Sequence, residues 1–419
     1  GTEDADGDGF FSVASGGNDC DDGDPAVHPD AWDSDGDGVD DNCDGTPDEG
    51  VLTDGDGDGA MSDVDCDDGD PDVNPDGEEV PNNGVDEDCN GSDLATVTEQ
   101  TLGGVLESDG LLTAAYSPYI VTSDLVILPG TTLWIEAGVE VRFDGPWMLL
   151  VKGTLTVTGS AEASAWLGPH AAQPVSGAWV GVVVDGSGEA DIAYADISWA
   201  QIGVSVIDTA PTITDTVIHD CGEGIRVDGT GATATIARCS LTDNGTGLVG
   251  SWAGWSDSLD LTDSVIASND QGITTTGSTG LVVEGCVIEG NAGVGFAMDG
   301  NLLRYSVVEG NGVGIRTKGG WDQILFNEVL SNGVGVEVGS YPERPELKHN
   351  TLMGNAEYAL VYVGGGVDGP VDATENWWGS TDPTAITDAI WDLYDDTTLF
   401  EVLWDPPLDA ADPTAGLPE

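Results

Sequence analysis

Long apolar runs and basic residues are both scarce in this sequence. No stretch of about eighteen consecutive apolar residues occurs, so no membrane-spanning helix is predicted. Nine Lys and Arg stand against 78 Asp and Glu, which gives a formal net charge of −69, and the first basic residue is Arg142. Nucleic acids and anionic membranes are bound through Lys and Arg. The sequence therefore predicts neither a nucleic-acid partner nor membrane insertion.

Catalytic motifs are also missing. The sequence has no Gly-rich phosphate-binding loop and no nucleophile elbow, and its four His form no constellation with Ser or Cys. It therefore favours a protein that is not an enzyme.

The central part of the chain repeats one short pattern, a Gly followed by an apolar residue. The seven intervals between Gly181 and Gly335 average 22 residues, and a repeat of this length is typical of a solenoid. The pairs are Gly181-Val182, Gly203-Val204, Gly224-Ile225, Gly247-Leu248, Gly272-Ile273, Gly295-Phe296, Gly314-Ile315 and Gly335-Val336.

The segments between these pairs are short and rich in β-branched residues, which predicts strands of three to five residues. Two or three such strands per repeat make one coil of a parallel β-helix, so the predicted fold class is all-β. An Asn recurs in each repeat, and we expect it at a corner where the bend needs a positive φ and the stacked amides bond to each other. The Asn positions are Asn244, Asn269, Asn291, Asn311, Asn332 and Asn355.

Residues 1–93 are different in character, with 33 Asp and Glu and no Lys or Arg. Such a block is either a disordered acidic tail or a module that folds around cations. Four Cys spaced 23 residues apart (Cys20, Cys43, Cys66 and Cys89), and a segment around Cys20 that recurs around Cys66, indicate an ordered tandem repeat. The competing interpretation, that the acids merely solvate the surface, remains open.

The Asp spacing within this block is that of calcium loops. In residues 54–65, carboxylates occupy loop positions one, three, five and twelve, Gly59 allows the tight turn, and Ala60 offers its carbonyl. Residues 33–44 have the same layout, residues 4–19 form a longer version, and residues 82–89 form a weaker one. Pro residues around the loops disfavour the flanking helices of an EF-hand.

We therefore predict several bound calcium ions per chain. The predicted ligands are the side chains of Asp4, Asp6, Asp8, Asp19, Asp21, Asp33, Asp35, Asp37, Asp41, Asp44, Asp54, Asp56, Asp58, Asp65, Asp67, Asp86 and Asp88, and the carbonyls of Phe10, Val39 and Ala60.

Residues 4–92 resemble two copies of the metal-binding repeat of secreted bacterial proteins, and their loops are similar to those of thrombospondin type 3 repeats. The resemblance implies disulfides Cys20–Cys43 and Cys66–Cys89, although four Cys alone allow three pairings. The repeat family is associated with a copper-binding surface protein, but copper prefers softer ligands than Asp, and the region offers only His28 and Met61.

Three further Cys lie in the solenoid. Cys221 and Cys239 are predicted to lie on successive coils, where a separation of about 5 Å suits a disulfide. Cys286 is then left over, either free and buried or linked to another chain.

The segments after Tyr119 resemble the opening coils of pectate-lyase-like right-handed β-helix proteins, and residues 375–379 with the following Pro resemble the ending of bacterial β-helix proteins. The predicted domains are residues 1–93 (acidic calcium-binding repeats), 94–118 (linker and N-terminal cap), 119–375 (right-handed parallel β-helix) and 376–419 (C-terminal cap and extended tail).

The resemblance leaves open a second hypothesis, a secreted protein that binds or cleaves polysaccharide. Lyases of this fold pair carboxylates with a basic residue, for which Arg226 or Arg316 with Lys318 are candidates, and Trp252 and Trp255 are candidates for stacking on sugars.

Our main prediction is an extracellular or cell-surface, calcium-binding structural or adhesive β-helix protein. Its regular coils can associate head to tail into a homopolymer, and a cell-surface polysaccharide is the other expected partner. The chain begins at Gly1 without Met, which predicts export through a removed signal peptide.

Overall fold

The computed structural model describes residues 4–31, 38–46, 53–98, 100–229, 234–251, 259–277, 280–318, 321–339, 345–364 and 369–418. The chain divides into two compact units, Gly1–Asp93 and Leu94–Glu419. The structure describes no helix among these residues that is long and apolar enough to cross a membrane.

The first unit consists mainly of loops. In its described part the regular structure is one short 3-10 helix, Val13–Ser15, whose N-cap Ser12 side chain accepts a hydrogen bond from the Ser15 N–H. Two disulfides, Cys20–Cys43 and Cys66–Cys89, cross-link the unit with Cα–Cα distances of 5.6 Å each. These are the two pairings that the family resemblance implied.

The second unit is a right-handed parallel β-helix, which confirms the predicted fold class. Each complete coil contributes one strand to each of three faces. The second face is a 12-stranded parallel sheet, and the first and third faces belong to a 23-stranded sheet.

The first face contains the strands that carry the repeated Gly, with the strands stacked before and after them. They are Thr101–Leu106, Met148–Val151, Gly181–Asp185, Ile202–Ile207, Glu223–Asp228, Thr246–Ser251, Gln271–Thr276, Val294–Met298, Val313–Thr317, Val334–Val338, Tyr358–Tyr362 and Ile390–Trp391.

The second face follows the first in each coil. Its strands are Ala95–Thr96, Gly110–Leu112, Thr132–Glu136, Thr154–Thr158, Glu189–Ala193, Thr212–Thr214, Thr235–Ala237, Leu259–Thr262, Leu281–Glu284, Leu302–Arg304, Gln323–Leu325 and Glu346–Lys348.

The third face closes each coil, and Tyr119–Ile127 is long enough to pair on both the third and the first faces. The remaining strands of the third face are Glu140–Phe143, Ala165–Pro169, Ala195–Ser198, Val217–His219, Ser240–Thr242, Val265–Ala267, Val287–Glu289, Val307–Glu309, Glu328–Leu330 and Thr351–Met353.

The ends of this unit carry the other elements. A 3-10 helix, Ala114–Tyr116, lies near the start; the α-helix Pro383–Thr387 and the paired strands Val371–Asp372 and Val402–Leu403 lie near the end. Residues 94–118, which the sequence predicted to be a linker and cap, themselves contain strands of the solenoid. Thr101–Leu106 lies on the first face, and Ala95–Thr96 and Gly110–Leu112 lie on the second.

The Gly-apolar repeat has a packing explanation. A Cβ on Gly314 would lie 2.6 Å from the carbonyl oxygen of Gly335, and one on Gly295 would lie 2.7 Å from that of Gly314. The next coil is therefore too close for any side chain at these positions. The apolar residue after each Gly points into the core, as for Ile315 and Val336, both fully buried. Stacked apolar side chains of this kind form one continuous hydrophobic core along the solenoid.

The predicted Asn row is confirmed, and each buried Asn bonds to the next coil. The Asn269 and Asn291 backbone N–H groups donate to Oδ1 of Asn291 and Asn311, at 3.0 Å each. The expectation of a positive φ at the Asn itself is wrong. The positive φ belongs to the preceding residue, for example Asp243 (56°) and Ser268 (59°), so the bend precedes the Asn.

A second row of polar side chains lies at the corner between the second and third faces, and the sequence did not predict it. The residue type varies along this row. Its last four members are Ser306, Asn327, Asn350 and Asn376. Each accepts a hydrogen bond from the backbone N–H of the residue one coil earlier.

The predicted Cys221–Cys239 disulfide is wrong, because the two thiols lie in different rows. The Cys221 N–H donates to Oδ1 of Asn244, whereas the Cys239 N–H donates to the hydroxyl of Ser264. The two Cys therefore occupy different corners of the coil. Cys221, Cys239 and Cys286 are all free and buried, which agrees with the simpler of the two alternatives for Cys286.

Candidate metal centres

Two loops of the first unit, residues 4–10 and 54–60, have the same internal hydrogen bonds. The Asp4 carboxylate accepts from the Gly7 N–H at 2.7 Å, and the Asp54 carboxylate accepts from the Gly57 N–H at 2.7 Å. The third carboxylate of each loop accepts from the residue two positions later, Phe10 or Ala60, again at 2.7 Å. Because the bonds hold the loop in a tight curl, the carboxylates lie on its inner side.

The carboxylates within each loop converge. Asp4, Asp6 and Asp8 form one group whose ligand oxygens all lie within 4.8 Å of one another, and Asp54, Asp56 and Asp58 form the equivalent group. Asp6 also forms such a group with Asp19 and Asp22.

Six Asp side chains of the first unit each have one carboxylate oxygen that is buried and has no hydrogen-bond partner. A buried carboxylate oxygen without a partner costs free energy unless a cation or proton compensates it. These oxygens are Oδ2 of Asp6, Asp8, Asp19, Asp56, Asp58 and Asp65. The same three positions recur in both repeats, so the residues present fit a bound cation.

Electrostatics within the loops lead to the same conclusion. Burial, followed by the charges of Asp8, Asp19 and Asp4, raises the pKa of Asp6. Burial and the neighbouring carboxylates in the second repeat likewise raise the pKa of Asp56. A cation at either place would favour the charged carboxylates and reverse this effect.

The predicted ligands next to the Cys separate into two kinds. Asp19 is only 1 % exposed, and one of its oxygens is among the unpartnered ones. Asp21, two residues later, is exposed. In the second repeat Asp65 is half-buried and has one buried, unpartnered oxygen, whereas Asp67 is exposed. The structure therefore brings Asp19 and Asp65 to the loops, whereas Asp21 and Asp67 face solvent.

Asp22 and Asp68 are residues that the sequence analysis missed. Oδ1 of Asp22 accepts from the Ala5 N–H at 3.1 Å, and Oδ1 of Asp68 accepts from the Gly55 N–H at 2.8 Å. Their equal distance from Cys20 and Cys66 is the sequence signal that could have identified them.

Each repeat contains a second, smaller loop at its end. The Asp40 carboxylate accepts from the N–H groups of Asp44 and Gly45, and the Asp86 carboxylate accepts from those of Asn90 and Gly91. Asp86 and Asp88 form a further group with Glu79, which the sequence analysis also missed.

The second predicted calcium loop is described only in part. Asp33, Asp35 and Asp37 lie outside the described residues. Val39 and Asp44 are exposed, and the backbone carbonyl of Asp41 accepts a hydrogen bond from the His28 N–H at 2.8 Å. Asp40, which the prediction omitted, is the carboxylate that bonds to this loop's backbone.

Of the two candidate copper ligands, His28 does not join these groups and Met61 is exposed. The ring of His28 stacks on Phe10 with centroids 5.0 Å apart, and its Nδ1 accepts a hydrogen bond from the Asp30 N–H. In the described part of the first unit, the acidic groups contain only carboxylates. An oxygen-only donor set suits hard cations better than copper.

The candidate lyase bases are held in ion pairs. Arg226 bonds to Glu223 and also contacts Asp228, and Arg316 bonds to Glu337 on the next coil at 2.6 Å. Every Lys and Arg in the described part of the chain forms an ion pair with a carboxylate. Trp252 and Trp255, the candidates for sugar stacking, lie outside the described residues.

Comparison with known proteins finds similarities for both parts of the chain. A family model described as "Right handed beta helix region" matches residues 180–371, and one described as "Putative metal-binding motif" matches residues 19–49 and 65–93. The protein named Protein bark beetle, from Drosophila melanogaster, is 39 % identical over 67 residues. That match covers 16 % of this chain and 2 % of the relative's length.

Among solved structures, a mutant of the periplasmic alginate epimerase AlgG matches with 14 % identity and a TM-score of 0.46, covering 72 % of this chain and 82 % of that one. The epimerase without the mutation matches with 12 % identity and a TM-score of 0.34, over the same shares of the two chains. At this level of similarity the epimerase says nothing about the activity of this chain.

Proposed function

We propose that this chain, a right-handed β-helix preceded by two metal-binding motifs, is an extracellular calcium-binding structural protein. The observation that carries the proposal is the set of buried, unpartnered carboxylate oxygens that recurs in both repeats. Residues 1–93 contain 33 Asp and Glu and no Lys or Arg that could neutralise these oxygens. A bound cation would neutralise them and let the carboxylates stay ionised.

Calcium is the ion that the donor set favours. It takes about six to eight oxygen ligands, and its loops alternate Asp with Gly around a backbone carbonyl. In the first repeat, Asp4, Asp6, Asp8, Asp19 and the carbonyl of Phe10 would hold it. In the second repeat, Asp54, Asp56, Asp58, Asp65 and the carbonyl of Ala60 would do the same.

The bound ion supplies positive charge that lets the carboxylates stay ionised while buried. The chain's own bonds keep the site open: the Gly7 and Gly57 N–H groups orient Asp4 and Asp54.

An extracellular location agrees with the two disulfides, which form and persist in oxidising surroundings. It also agrees with calcium, which is abundant there. The paired state of the basic residues in the described coils supports a structural role for the solenoid over a catalytic one.

Self-association would follow from the same chemistry. Carboxylates of two chains can share one divalent ion, which turns repulsion between highly acidic copies into attraction. A solenoid with stacked, similar coils also suits head-to-tail contacts, which build filaments when they do not close.

Calcium titration of the full-length chain tests the proposal directly. We expect at least two ions per chain, one for each of the two loops that hold the unpartnered oxygens. Fewer than two ions, or equal binding after both Asp6→Asn and Asp56→Asn are introduced, would rule it out.

Electron microscopy with calcium and then with chelator tests assembly separately. Filaments that disperse on chelation support it, whereas particles that stay monomeric in calcium contradict it. Incubation with uronic-acid polymers examines the alternative, because shortened polymer would identify a polysaccharide-cleaving protein.

A further inference from the structure

A cavity of about 380 Å³ lies at the C-terminal end of the solenoid unit, among residues 387–404. Its inner wall is apolar: Ile390 and Val402 are 4 % and 2 % exposed, and the half-buried Trp404 adjoins them. The ring of Tyr394, 77 % exposed, stands at its rim. We call this space the C-terminal cavity.

The C-terminal cavity is held open by one buried carboxylate. Asp392, 5 % exposed, accepts hydrogen bonds from the N–H groups of Tyr394 at 3.0 Å and Val402 at 2.7 Å. Its own N–H donates to the carboxylate of Asp395 at 3.2 Å. These bonds fix the rim and the inner wall relative to each other, so a ligand would not have to order them.

The polar lining accepts hydrogen bonds but has few hydrogens left to donate. The hydroxyl of Thr387 donates to the carbonyl oxygens of Pro383 and Thr384, at 3.0 and 3.1 Å. The hydroxyl of Tyr394 donates to Glu401 at 3.1 Å. The carboxylates of Asp388 and Asp395 only accept when ionised. Apart from the indole N–H of Trp404, the polar lining therefore offers acceptors and negative charge, to which a cation is complementary.

The charged residues that line the C-terminal cavity, Asp388, Asp392 and Asp395, are all acidic. Lys348, the last Lys or Arg of the sequence, forms an ion pair with Glu375 at 3.3 Å. Residues 382–405 contain the acids Asp382, Asp388, Asp392, Asp395, Asp396, Glu401 and Asp405. Carboxylates beside an apolar wall attract a cation more strongly than carboxylates in open water do.

We propose that the C-terminal cavity binds an organic cation, an ammonium or guanidinium group on a short apolar body. The carboxylates of Asp388 and Asp395 take the charge, and the rings of Tyr394 and Trp404 offer their faces to it. Ile390 and Val402 pack against the apolar body. The cation is either a free amine or a Lys or Arg side chain of another protein.

The test is a calorimetric titration of the full-length protein with choline at a fixed calcium concentration. Dimethylbutanol, the uncharged carbon isostere of choline, is the matched ligand control. We expect choline to saturate the protein. The isostere should bind at least about tenfold more weakly than choline, because the isostere lacks the positive charge. A blocked Gly-Lys-Gly peptide distinguishes the two sources: binding of the peptide alone assigns the cavity to a protein side chain.

Two exposed carboxylates provide the protein control. Asp388→Asn removes a charge from the C-terminal cavity, whereas Asp409→Asn removes one from the tail outside it. We expect the first variant to weaken choline several-fold and the second to leave it unchanged, with the thermal unfolding of both unaltered. If both variants weakened choline binding equally, choline would be held only by the general electrostatic field of the acidic chain, which would overturn the proposal. So would equal affinity for the uncharged isostere or for methyl glucoside, displacement of choline by calcium, or no binding by either cation.

Discussion

The backbone N–H of Asn311 donates a hydrogen bond to Oδ1 of Asn332, one coil further along the solenoid, at 2.9 Å. The amide of Asn332 in turn donates to the carbonyl oxygen of Val308 at 2.9 Å and to Oδ1 of Asn355 at 3.1 Å. Each internal Asn of the row therefore links three successive coils through one fully buried side chain.

Asn332→Ala should destabilise the solenoid by about 3 kcal/mol, because it leaves the buried Asn311 N–H without a partner and removes the amide bonds to Val308 and Asn355. Chemical unfolding combined with hydrogen exchange of the Asn311 amide measures the effect. The control is Asn355→Ala at the end of the described row, where the side chain is only half-buried and the loss should be smaller. If the two substitutions lowered stability equally, the internal position of Asn332 in the row would add nothing to its contribution.

His219 should titrate well above an ordinary His. Its Nε2 lies 3.1 Å from Asp196 Oδ1 and its Nδ1 lies 2.7 Å from Asp220 Oδ2. The hydrogen bond with Asp196, and then that with Asp220, raise the pKa of His219 from 6.5 to about 9 against the opposing effect of burial. An NMR titration of the imidazole should place its midpoint near that value.

This shift has a defined sign for stability. A raised His pKa stabilises the fold fully below pH 6.5, and the contribution is lost as the pH rises to about 9. Since the side chain is partly solvated, we expect about 1 kcal/mol. Asp196→Asn should lower the midpoint and flatten the pH dependence of unfolding between these limits. An unchanged midpoint in the variant would disprove the ion pair.

Thiol titration distinguishes the predicted Cys221–Cys239 disulfide from the free thiols of the structure. Burial raises the pKa of Cys221 and Cys286 to about 12 and that of Cys239 to about 11. A neutral thiol inside a packed core reacts poorly. We therefore expect no reaction with a thiol reagent in the native protein and three reactive thiols per chain after unfolding without reductant. If only one thiol per chain reacted after unfolding, the predicted Cys221–Cys239 disulfide would be correct.

How much of the solenoid is predictable depends on whether a row keeps one residue type. Positions such as Gly314 must be Gly because the next coil leaves no room for a Cβ, so the period is visible in the sequence. The Asn row is visible for the same reason. The second row is chemically mixed, since the side chains of Ser264, Cys286 and Asn327 all bond there to the backbone of the preceding coil. No residue count reveals it, and Cys239 was consequently misplaced.

In the loops of the first unit, the residue type is constant but the sequence does not show which Asp residues face the metal centre. Spacing identified Asp56 and Asp58 because Gly alternates with Asp around them, and this alternation produces the tight curl. Spacing cannot show which of the two Asp that flank one Cys is the metal ligand, since both are Asp and both are close to the loop in sequence. The tertiary turn that buries one oxygen of Asp65 and exposes Asp67 decides between them.

Asp65→Asn and Asp67→Asn form the sharpest test of the metal centres. Asp65 carries a buried, unpartnered oxygen, whereas the Asp67 side chain is exposed two residues away. Both substitutions remove one charge and keep the shape of the side chain. Because ligand charge determines calcium affinity, we expect calcium titration to show about tenfold weaker binding at one site in Asp65→Asn and wild-type binding in Asp67→Asn.

Asp19→Asn and Asp21→Asn repeat this comparison in the first repeat, where Asp19 is the buried partner. Agreement between the two repeats would assign the effect to the position and not to the general field of the acidic unit, because that field loses the same charge in every variant. If the exposed and buried substitutions weakened calcium equally, the ions would be held by diffuse attraction. The unpartnered oxygens would then need another explanation, such as protonation of Asp6 and Asp56, whose pKa values burial already raises.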